Sequence, residues 1–358
     1  MKKRIVFVLN NLQYADGVAK VLVELCNFLD ENYFDITIIP IYRCDSKFIK
    51  LLKPHIHVQK KLGFYFRGLD KIINALPIQF LYQKIVGEKY DIEVAFQYGL
   101  ATRMIANSTN LNAKHYAWMH GYDEGLTLAN DYPKFDKVFC VSKYNAERLR
   151  RESQGIVNVD CCYNIIDESK IVELAKENIT EDTSKKPILI AVGRQTAEKG
   201  FLRLVDVVGR LKRNGYQFSL WLIGDGADHH QLEEKIKKDS LEDCVKLLGI
   251  QSNPHKYTSK ADVFVCSSFS EGYSTAAVEA ILLGIPVIST AVSGAQEIIE
   301  DSQCGMVCEL DDESLYTALK NTLDNPKIIS EWKNTLSTTK YKFESKARGE
   351  RVNQIFMK

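Results

Sequence analysis

The fold class is most clearly indicated by residues 261–290, ADVFVCSSFSEGYSTAAVEAILLGIPVIST. The first eight residues of this segment are a short apolar run that predicts a buried strand. A helical pattern resumes near Thr275 and ends at Gly284, a residue type suited to a C-cap. A second apolar run, 285–290, follows at once. Strand, helix and strand in such close succession predict a unit of a parallel α/β sheet.

The same alternation extends along the chain in two series. Apolar strand-like runs lie at 4–9, 34–41, 91–96, 114–119 and 137–142, and then at 187–193, 218–224, 244–249, 261–268, 285–290 and 305–310. Residues 166–186, between the two series, are polar and charge-rich. We therefore predict two doubly wound α/β domains facing a central cleft, 1–165 and 166–339. The last helical stretch can pack on either domain, and 340–358 can complete the first.

Composition excludes several classes of function. The chain has 358 residues, 45% of them hydrophobic, and a net charge of +1, which gives no electrostatic reason to expect nucleic-acid binding. The apolar run Ile5–Leu9 is too short for a signal peptide, and no segment approaches the ~20 apolar residues of a membrane-spanning helix. We expect a cytoplasmic protein. The nine cysteines are irregularly spaced without a Cys-x-x-Cys pair, so neither a disulfide nor a zinc site is expected.

Ligands of such sheets bind beyond the carboxyl ends of the strands, so the loops there are the candidate sites. Gly17 opens a helix after the first strand, which suits a phosphate or a sugar hydroxyl but also an ordinary tight turn. Past residue 192, Arg194 and Lys199 flank a turn and can clamp a diphosphate, or can be solvated surface cations. The chain has no G-x-G-x-x-G and no Asp-x-Asp, so we expect no dinucleotide cofactor and no metal.

Further glycine turns follow other strands of the second series. Gly193 and Gly224 permit close backbone approach, and Gly249 with Ile250 can frame a flat base. His120 follows a strand of the first series and suits either a structural or a site role.

Two glutamates bracket the turn in the opening segment. Glu271 lies on the loop before the helix, for which Ser274 and Thr275 are N-cap candidates. Glu279 lies on the second helical turn among apolar neighbours, where a carboxylate needs hydrogen-bond donors. A ribose diol supplies such donors, and so does an internal salt bridge to Lys or Arg.

At these residues the sequence resembles a known family. GRQTAEKGF, GDG, the opening segment with its Glu-x7-Glu spacing, and SGAQEII together resemble the retaining GT-B glycosyltransferases of family 4 across residues 187–310. The first domain matches more loosely, in its first strand and helix and in WMHG. One departure is that Asp16-Gly17 stands where the family usually carries Gly-Gly, which weakens the expected contacts of that loop.

The resemblance implies a nucleotide-diphosphate-sugar donor held mainly by the second domain. It assigns Arg194 and Lys199 to the diphosphate, Glu279 to the ribose hydroxyls, and His120 to the transferred sugar. It assigns Glu271 to the donor sugar and phosphate, together with the amides of Gly272, Tyr273, Ser274 and Thr275. Glu271, His120, Arg194 and Lys199 are the expected catalytic residues. The implied mechanism is front-face attack with departure of the diphosphate, rather than a pair of facing carboxylates.

The expected activity is transfer of a hexosyl or N-acetylhexosaminyl group, from a UDP-sugar in preference to a GDP-sugar, to a growing cell-surface polysaccharide or lipid-linked glycan. Residues 59–90 combine six basic residues with aromatic ones. They predict either peripheral contact with the inner face of the membrane or a helix packed on its own sheet. Two alternatives stay open: a catalytically silent homologue that serves as a partner subunit, and a nucleotide-sugar epimerase of the same architecture.

Overall fold

The computed structural model describes residues 1–13, 17–62, 66, 69, 73, 75–87, 89–121 and 131–357. The chain divides into two compact units, Met1–Ile165 with Arg348–Lys358, and Ile166–Ala347. Asp16 and ten residues of the basic aromatic stretch 59–90 lie outside the described residues. The predictions for Asp16 and for membrane contact therefore stay predictions.

The first unit is built on a seven-stranded sheet in which all described neighbours pair in parallel. Its strand order is β3-β2-β1-β4-β5-β6-β7. The strands are β1 Lys3–Leu12, β2 Phe34–Cys44, β3 Ile56–Val58, β4 Ile92–Ala95, β5 Lys114–Met119, β6 Lys137–Cys140 and β7 Val159–Cys161. The α-helices described between these strands are Gly17–Phe28, Ser46–Ile49, Ile78–Ile85, Leu100–Ala106 and Lys143–Glu152.

The C-terminal helix Ser345–Met357 closes the first unit. Phe356 has no exposed surface, and its ring stacks on Trp118 of β5 with the centroids 6.2 Å apart. Gly349 allows a close approach, since a Cβ atom there would lie 1.9 Å from Cζ of Phe28. From Arg348 on, this helix therefore belongs to a unit that begins more than 300 positions earlier in the chain, and Phe356 belongs to the core of that unit.

The second unit contains a six-stranded parallel sheet of order β10-β9-β8-β11-β12-β13. The strands are β8 Ile188–Val192, β9 Ser219–Ile223, β10 Val245–Gly249, β11 Val263–Cys266, β12 Val287–Thr290 and β13 Gly305–Cys308. The α-helices are Glu168–Leu174, Phe201–Arg213, His229–Lys238, His255–Thr258, Thr275–Leu282, Ala295–Ser302, Asp312–Asp324 and Lys327–Thr339. The strand order changes direction between β8 and β11, which are hydrogen-bonded neighbours.

Both series of predicted strands are present, which confirms the predicted α/β class with two parallel sheets. Strands β3 and β7 were not predicted, because each has three residues and lies at a sheet edge. The polar stretch 166–186 contains the helix Glu168–Leu174, which starts where the Asp167 side chain accepts a hydrogen bond from the Lys170 amide. Its Glu168 accepts two bonds from Ser345, and residues 340–347 lie in the second unit rather than completing the first.

All nine cysteines are free thiols. Cys140 and Cys266, expected as core thiols, are buried, and desolvation raises the pKa of both. Among the helices that the structure describes, none combines the length and apolar character needed to cross a bilayer.

Candidate donor-binding site

The change in strand direction brings two loops of the second unit together. Lys199 follows β8 and Glu271 follows β11, and parallel neighbours end at the same edge of a sheet. The Ser267 hydroxyl donates to the Lys199 carbonyl at 3.1 Å, and the Phe269 amide donates to the Glu198 carbonyl at 2.7 Å. Gly200 makes this crossing possible, because a Cβ atom there would lie 2.2 Å from the Ser267 carbonyl oxygen.

Lys199 and Glu271 form an ion pair at this crossing. The Lys199 ammonium donates to Glu271 Oε1 at 2.6 Å, and the two side chains are only 21% and 12% exposed. The hydroxyl of Ser268 donates to the same oxygen at 2.8 Å. Two donors on one oxygen fix the carboxylate, and no described residue is recorded donating to its other oxygen, Oε2. The sequence placed Lys199 and Glu271 at one site but gave no sign that they pair.

Arg194 takes a different direction. Its Nη2 atom donates to Glu198 Oε1 at 2.5 Å, and both side chains are largely exposed. An exposed pair of this kind is worth about 0–1 kcal/mol, so an incoming phosphate can replace Glu198 at little cost. The assignment of Arg194 to a diphosphate stays a prediction.

The helix Thr275–Leu282 begins just after the Glu271 loop. Ser274 is its N-cap, and the Ser274 hydroxyl accepts from the Ala277 amide at 3.3 Å. Tyr273 is 5% exposed and packs against Gly294, where a Cβ atom would lie 2.6 Å from the Tyr273 ring. Gly272 and Thr275 lie on either side of this cap. The N-terminal end of a helix carries partial positive charge, which suits a phosphate at this position.

Glu279 lies inside the same helix and is 7% exposed. Its Oε2 atom lies 3.6 Å from Nδ1 of His255, a residue that is itself 6% exposed. Sequence reasoning missed His255, because 24 positions separate it from Glu279 and no spacing rule links a short loop helix to a later one. Glu271 and Glu279 thus have different partners and different surroundings.

The predicted glycine turns lie side by side at the ends of β8, β9 and β10. The Gly193 amide donates to the Ile223 carbonyl at 3.0 Å, and the Gly224 amide donates to the Gly249 carbonyl at 2.8 Å. A Cβ atom on Gly224 would lie 1.8 Å from the Gly193 carbonyl oxygen, so only glycine fits. Ile250, next in the chain after Gly249, is 65% exposed.

Gln195 is a second residue that the sequence reasoning missed. It has no exposed surface, and its Oε1 atom accepts from Nδ1 of His229 at 2.6 Å. The backbone amide of Gln195 donates to the Asp225 carbonyl at 2.8 Å, and its backbone carbonyl accepts from the Asp228 amide at 2.9 Å. These bonds tie the loop after β8 to the loop after β9 and thereby fix the backbone on which Arg194 lies.

His120 ends the β5 strand of the first unit. Its Nε2 atom donates to the Phe96 carbonyl at 3.1 Å, and its ring meets the Phe96 ring edge-on. Desolvation lowers the pKa of His120 from its usual 6.5 to about 4, opposed by the Phe96 hydrogen bond. The imidazole is therefore neutral at pH 7, and its Nδ1 atom is an acceptor. Gly17, the predicted first-loop residue, begins the helix Gly17–Phe28.

Comparison with known proteins identifies the family. The model of the glycosyl transferases group 1 family matches residues 174–338, which hold the whole second sheet and the loops just described. The second unit of the chain therefore belongs to this family, the retaining glycosyltransferases of family 4.

Two relatives and one solved structure illustrate the range of similar proteins. This glycosyltransferase is 28% identical, over 85% of its own length and 84% of the relative's, to the N-acetylgalactosamine-N,N'-diacetylbacillosaminyl-diphospho-undecaprenol 4-alpha-N-acetylgalactosaminyltransferase of Campylobacter jejuni. It is 25% identical to the amylovoran biosynthesis glycosyltransferase AmsK of Erwinia amylovora, over 75% of this chain and 69% of that one. The crystal structure of Anabaena HepE with UDP and glucose matches 99% of each chain with a TM-score of 0.75 at 17% identity. This structural likeness confirms the predicted GT-B fold.

Proposed function

We propose that this glycosyltransferase moves a hexosyl or N-acetylhexosaminyl group from a UDP-sugar to a growing cell-surface polysaccharide or lipid-linked glycan. The observation that carries the proposal is the paired Lys199 and Glu271 at the strand-order switch of the second unit. A fixed cation beside a fixed carboxylate suits a ligand with a diphosphate at one end and sugar hydroxyls at the other.

The proposed donor contacts are those that the family resemblance implies. Lys199 and Arg194 bind the diphosphate, and the amides of the turn before the helix Thr275–Leu282 bind phosphate oxygens and sugar hydroxyls. Glu271 accepts from hydroxyls of the donor sugar through Oε2, and Glu279 accepts from the ribose. The Gly193, Gly224 and Gly249 turns bring backbone close to the nucleotide, with Ile250 against the base. No metal is required, because the two cations supply the positive charge.

In the transfer step, the bond between the anomeric carbon and UDP breaks, and the acceptor oxygen bonds to that carbon on the same face of the sugar. Charge develops on the β-phosphate as the anomeric bond breaks, and Lys199 and Arg194 stabilise it. A phosphate oxygen of the leaving group takes the proton of the acceptor hydroxyl. His120 is neutral at pH 7, and its Nδ1 atom accepts a hydrogen bond from a hydroxyl of the transferred sugar. Glu271 and Glu279 do not act as a nucleophile and acid pair in this mode, because Glu279 is occupied by the ribose.

The acceptor is proposed to be lipid-linked. The similarity to a transferase whose name specifies an undecaprenol diphosphate acceptor supports this. So do the exposed Phe66 and Phe80, of which Phe80 lies under the ammonium of Lys84 at 5.8 Å. Basic and aromatic side chains together favour an anionic lipid surface, here the inner face of the cell membrane.

A donor panel tests the proposal. The purified protein is incubated with UDP- and GDP-linked hexoses and N-acetylhexosamines, with an extract of polyprenyl-linked glycans as acceptor, and release of nucleotide diphosphate is measured. We expect UDP release from one UDP-sugar, abolished in Lys199→Ala and kept in Lys246→Ala, a control on β10 with an exposed side chain. The proposal fails if no donor in the panel binds or reacts.

A further inference from the structure

His255 gives Glu279 a partner to which neither the sequence nor the family resemblance assigns a role. Nδ1 of His255 lies 3.6 Å from Oε2 of Glu279, with both side chains at most 10% exposed. This separation is too long for a hydrogen bond, but it is short enough for an electrostatic interaction between the polar imidazole and the carboxylate. Burial strengthens the interaction, because the surroundings screen charge far less than water does.

The backbone fixes the position of this histidine. His255 begins a one-turn helix, and its amide donates to the Asn253 side chain at 3.1 Å. Asn253 in turn donates to the Leu174 carbonyl at 2.8 Å, and the Ser259 hydroxyl donates to the Ala175 carbonyl at 3.2 Å. Bonds on both sides of the short helix thus hold it against the C-terminal end of the helix Glu168–Leu174, and the imidazole lies beside Glu279 at a fixed position.

A buried carboxylate needs such a neighbour to recognise a diol. Burial disfavours the ionised form of a carboxyl group, whereas an adjacent N–H or imidazolium favours it. Only the ionised form accepts from two hydroxyls at once, and a protonated carboxyl would compete as a donor.

We propose that His255 is a positioning residue for nucleotide recognition, holding the Glu279 side chain in place so that the site selects nucleotides that carry ribose hydroxyls. The inference rests on the proposed contact between Glu279 and the ribose. It goes beyond that contact by naming the residue that makes it selective.

Calorimetric titration tests the proposal with two probes, UDP and 2′,3′-dideoxyuridine diphosphate, which lacks both ribose hydroxyls. The variants are His255→Phe, which keeps a ring without the N–H, His255→Gln, which keeps an N–H, and Glu279→Gln. His230→Phe is the matched control, because its Nδ1 also lies 3.6 Å from a glutamate Oε2, that of Glu234, but with side chains 78% and 70% exposed.

We expect His255→Phe and Glu279→Gln each to weaken UDP binding about tenfold, and His255→Gln about threefold, within the usual range of coupling between sites. None of them should change binding of the dideoxy nucleotide more than about twofold, since the lost interaction acts through the ribose hydroxyls. The control should match the wild type with both probes, and melting temperatures identify any variant that fails to fold.

Two results overturn the inference but not the ribose contact, and in both of them Glu279→Gln weakens the binding of UDP alone. In the first, His255→Phe changes the binding of neither probe. In the second, His255→Phe weakens the binding of both probes equally. A third result overturns the ribose contact and the inference with it, namely equal binding of the two probes by the wild type and no effect of Glu279→Gln.

Discussion

At the scale of single residues, the Glu271 carboxylate is held by two donors of different kinds, the Lys199 ammonium and the Ser268 hydroxyl. The Lys199 ammonium balances the charge of the carboxylate, and the Ser268 hydroxyl helps to fix its orientation. Ser268 is 3% exposed, so removing its hydroxyl also leaves a buried gap in the network.

We predict that Ser268→Ala lowers turnover about tenfold, because the Glu271 carboxylate is then less well positioned against the donor sugar. A tenfold loss corresponds to a rise of about 1.4 kcal/mol in the activation barrier. The affinity for UDP should stay within twofold, because Ser268 does not face the nucleotide in the proposed mode. Steady-state kinetics and calorimetry measure the two quantities. Ser270→Ala, two positions further on at an exposed residue, is the control and should behave as the wild type. Equal loss in both variants would show that Ser268 has no special role.

The lowered pKa of His120 leads to a prediction about how the stability of the protein depends on pH. Its pKa is about 4 in the folded protein and near 6.5 when unfolded, so the unfolded chain binds more protons between these values. Stability contributed by this residue is therefore present above pH 6.5 and lost as the pH falls toward 4. Urea unfolding at intervals from pH 7.5 to 4.5 should show the wild type losing stability faster than His120→Gln below pH 6.5. A difference between the two that is constant over the whole range would contradict the assigned pKa.

The sequence predicted which residue types belong to the site but not how they pair. Strand and helix patterns placed Lys199 and Glu271 on loops that follow strands, and the family resemblance assigned both residues to one site. It could not show that Ser268 shares Glu271, or that His255 lies beside Glu279. Those contacts depend on which strands are neighbours and on how a one-turn helix is bonded to residues almost 80 positions earlier. Such information is absent from local pattern.

At the scale of elements, the crossing of the loops after β8 and β11 depends on Gly200. This residue has φ +65°, which favours glycine, and it lies against the Ser267 carbonyl. The two loops carry Lys199 and Glu271, so their spacing sets the geometry of the ion pair.

We predict that Gly200→Ala destabilises the protein by about 2–4 kcal/mol. This value is the sum of the free-energy cost of a left-handed alanine and the cost of the steric overlap of its Cβ atom. Gly215→Ala is the matched control, since Gly215 has φ +86° but no atom within 4 Å of an added Cβ. It should cost only about 1 kcal/mol, the conformational part. Denaturant unfolding measures both variants. A similar cost in the two would show that the close approach at Gly200 is relieved without strain.

The elements themselves were largely predictable. Long apolar runs that alternate with helical spacing gave the central strands of both sheets, since these are buried on two faces. The three-residue edge strands carried too little pattern to be recognised, and the helix Glu168–Leu174 was hidden by its polar composition. Its start is set by the Asp167 cap, a signal that lies in one side chain rather than in periodicity.

At the scale of the whole molecule, the chain returns to its first unit at the C-terminus. Phe356 contributes to the aromatic cluster of that unit, with Phe7 and Trp118 at centroid distances of 5.8 and 6.2 Å. The sequence left open where this segment packs, because an amphipathic helix at the end of a chain fits either domain equally well by pattern.

We predict that Phe356→Ala destabilises the first unit by about 3–5 kcal/mol, the usual cost of removing a buried phenylalanine ring. Met357→Ala, at an adjacent residue that is 44% exposed, should have little effect. Denaturant unfolding followed by tryptophan fluorescence measures the change. Wild-type stability in Phe356→Ala would mean that the C-terminal helix is not part of the core.

In the proposed function, Glu271 contacts the donor sugar and Glu279 contacts the ribose. A comparison of variants at the two positions tests this difference in role. Calorimetry with UDP, together with turnover of the accepted UDP-sugar, is carried out on Glu271→Ala and Glu279→Ala. We predict that Glu279→Ala weakens UDP binding at least tenfold, whereas Glu271→Ala lowers turnover about a hundredfold, or about 2.7 kcal/mol, with less than a threefold change in UDP affinity. Binding of UDP by Glu279→Ala with wild-type affinity would contradict the account.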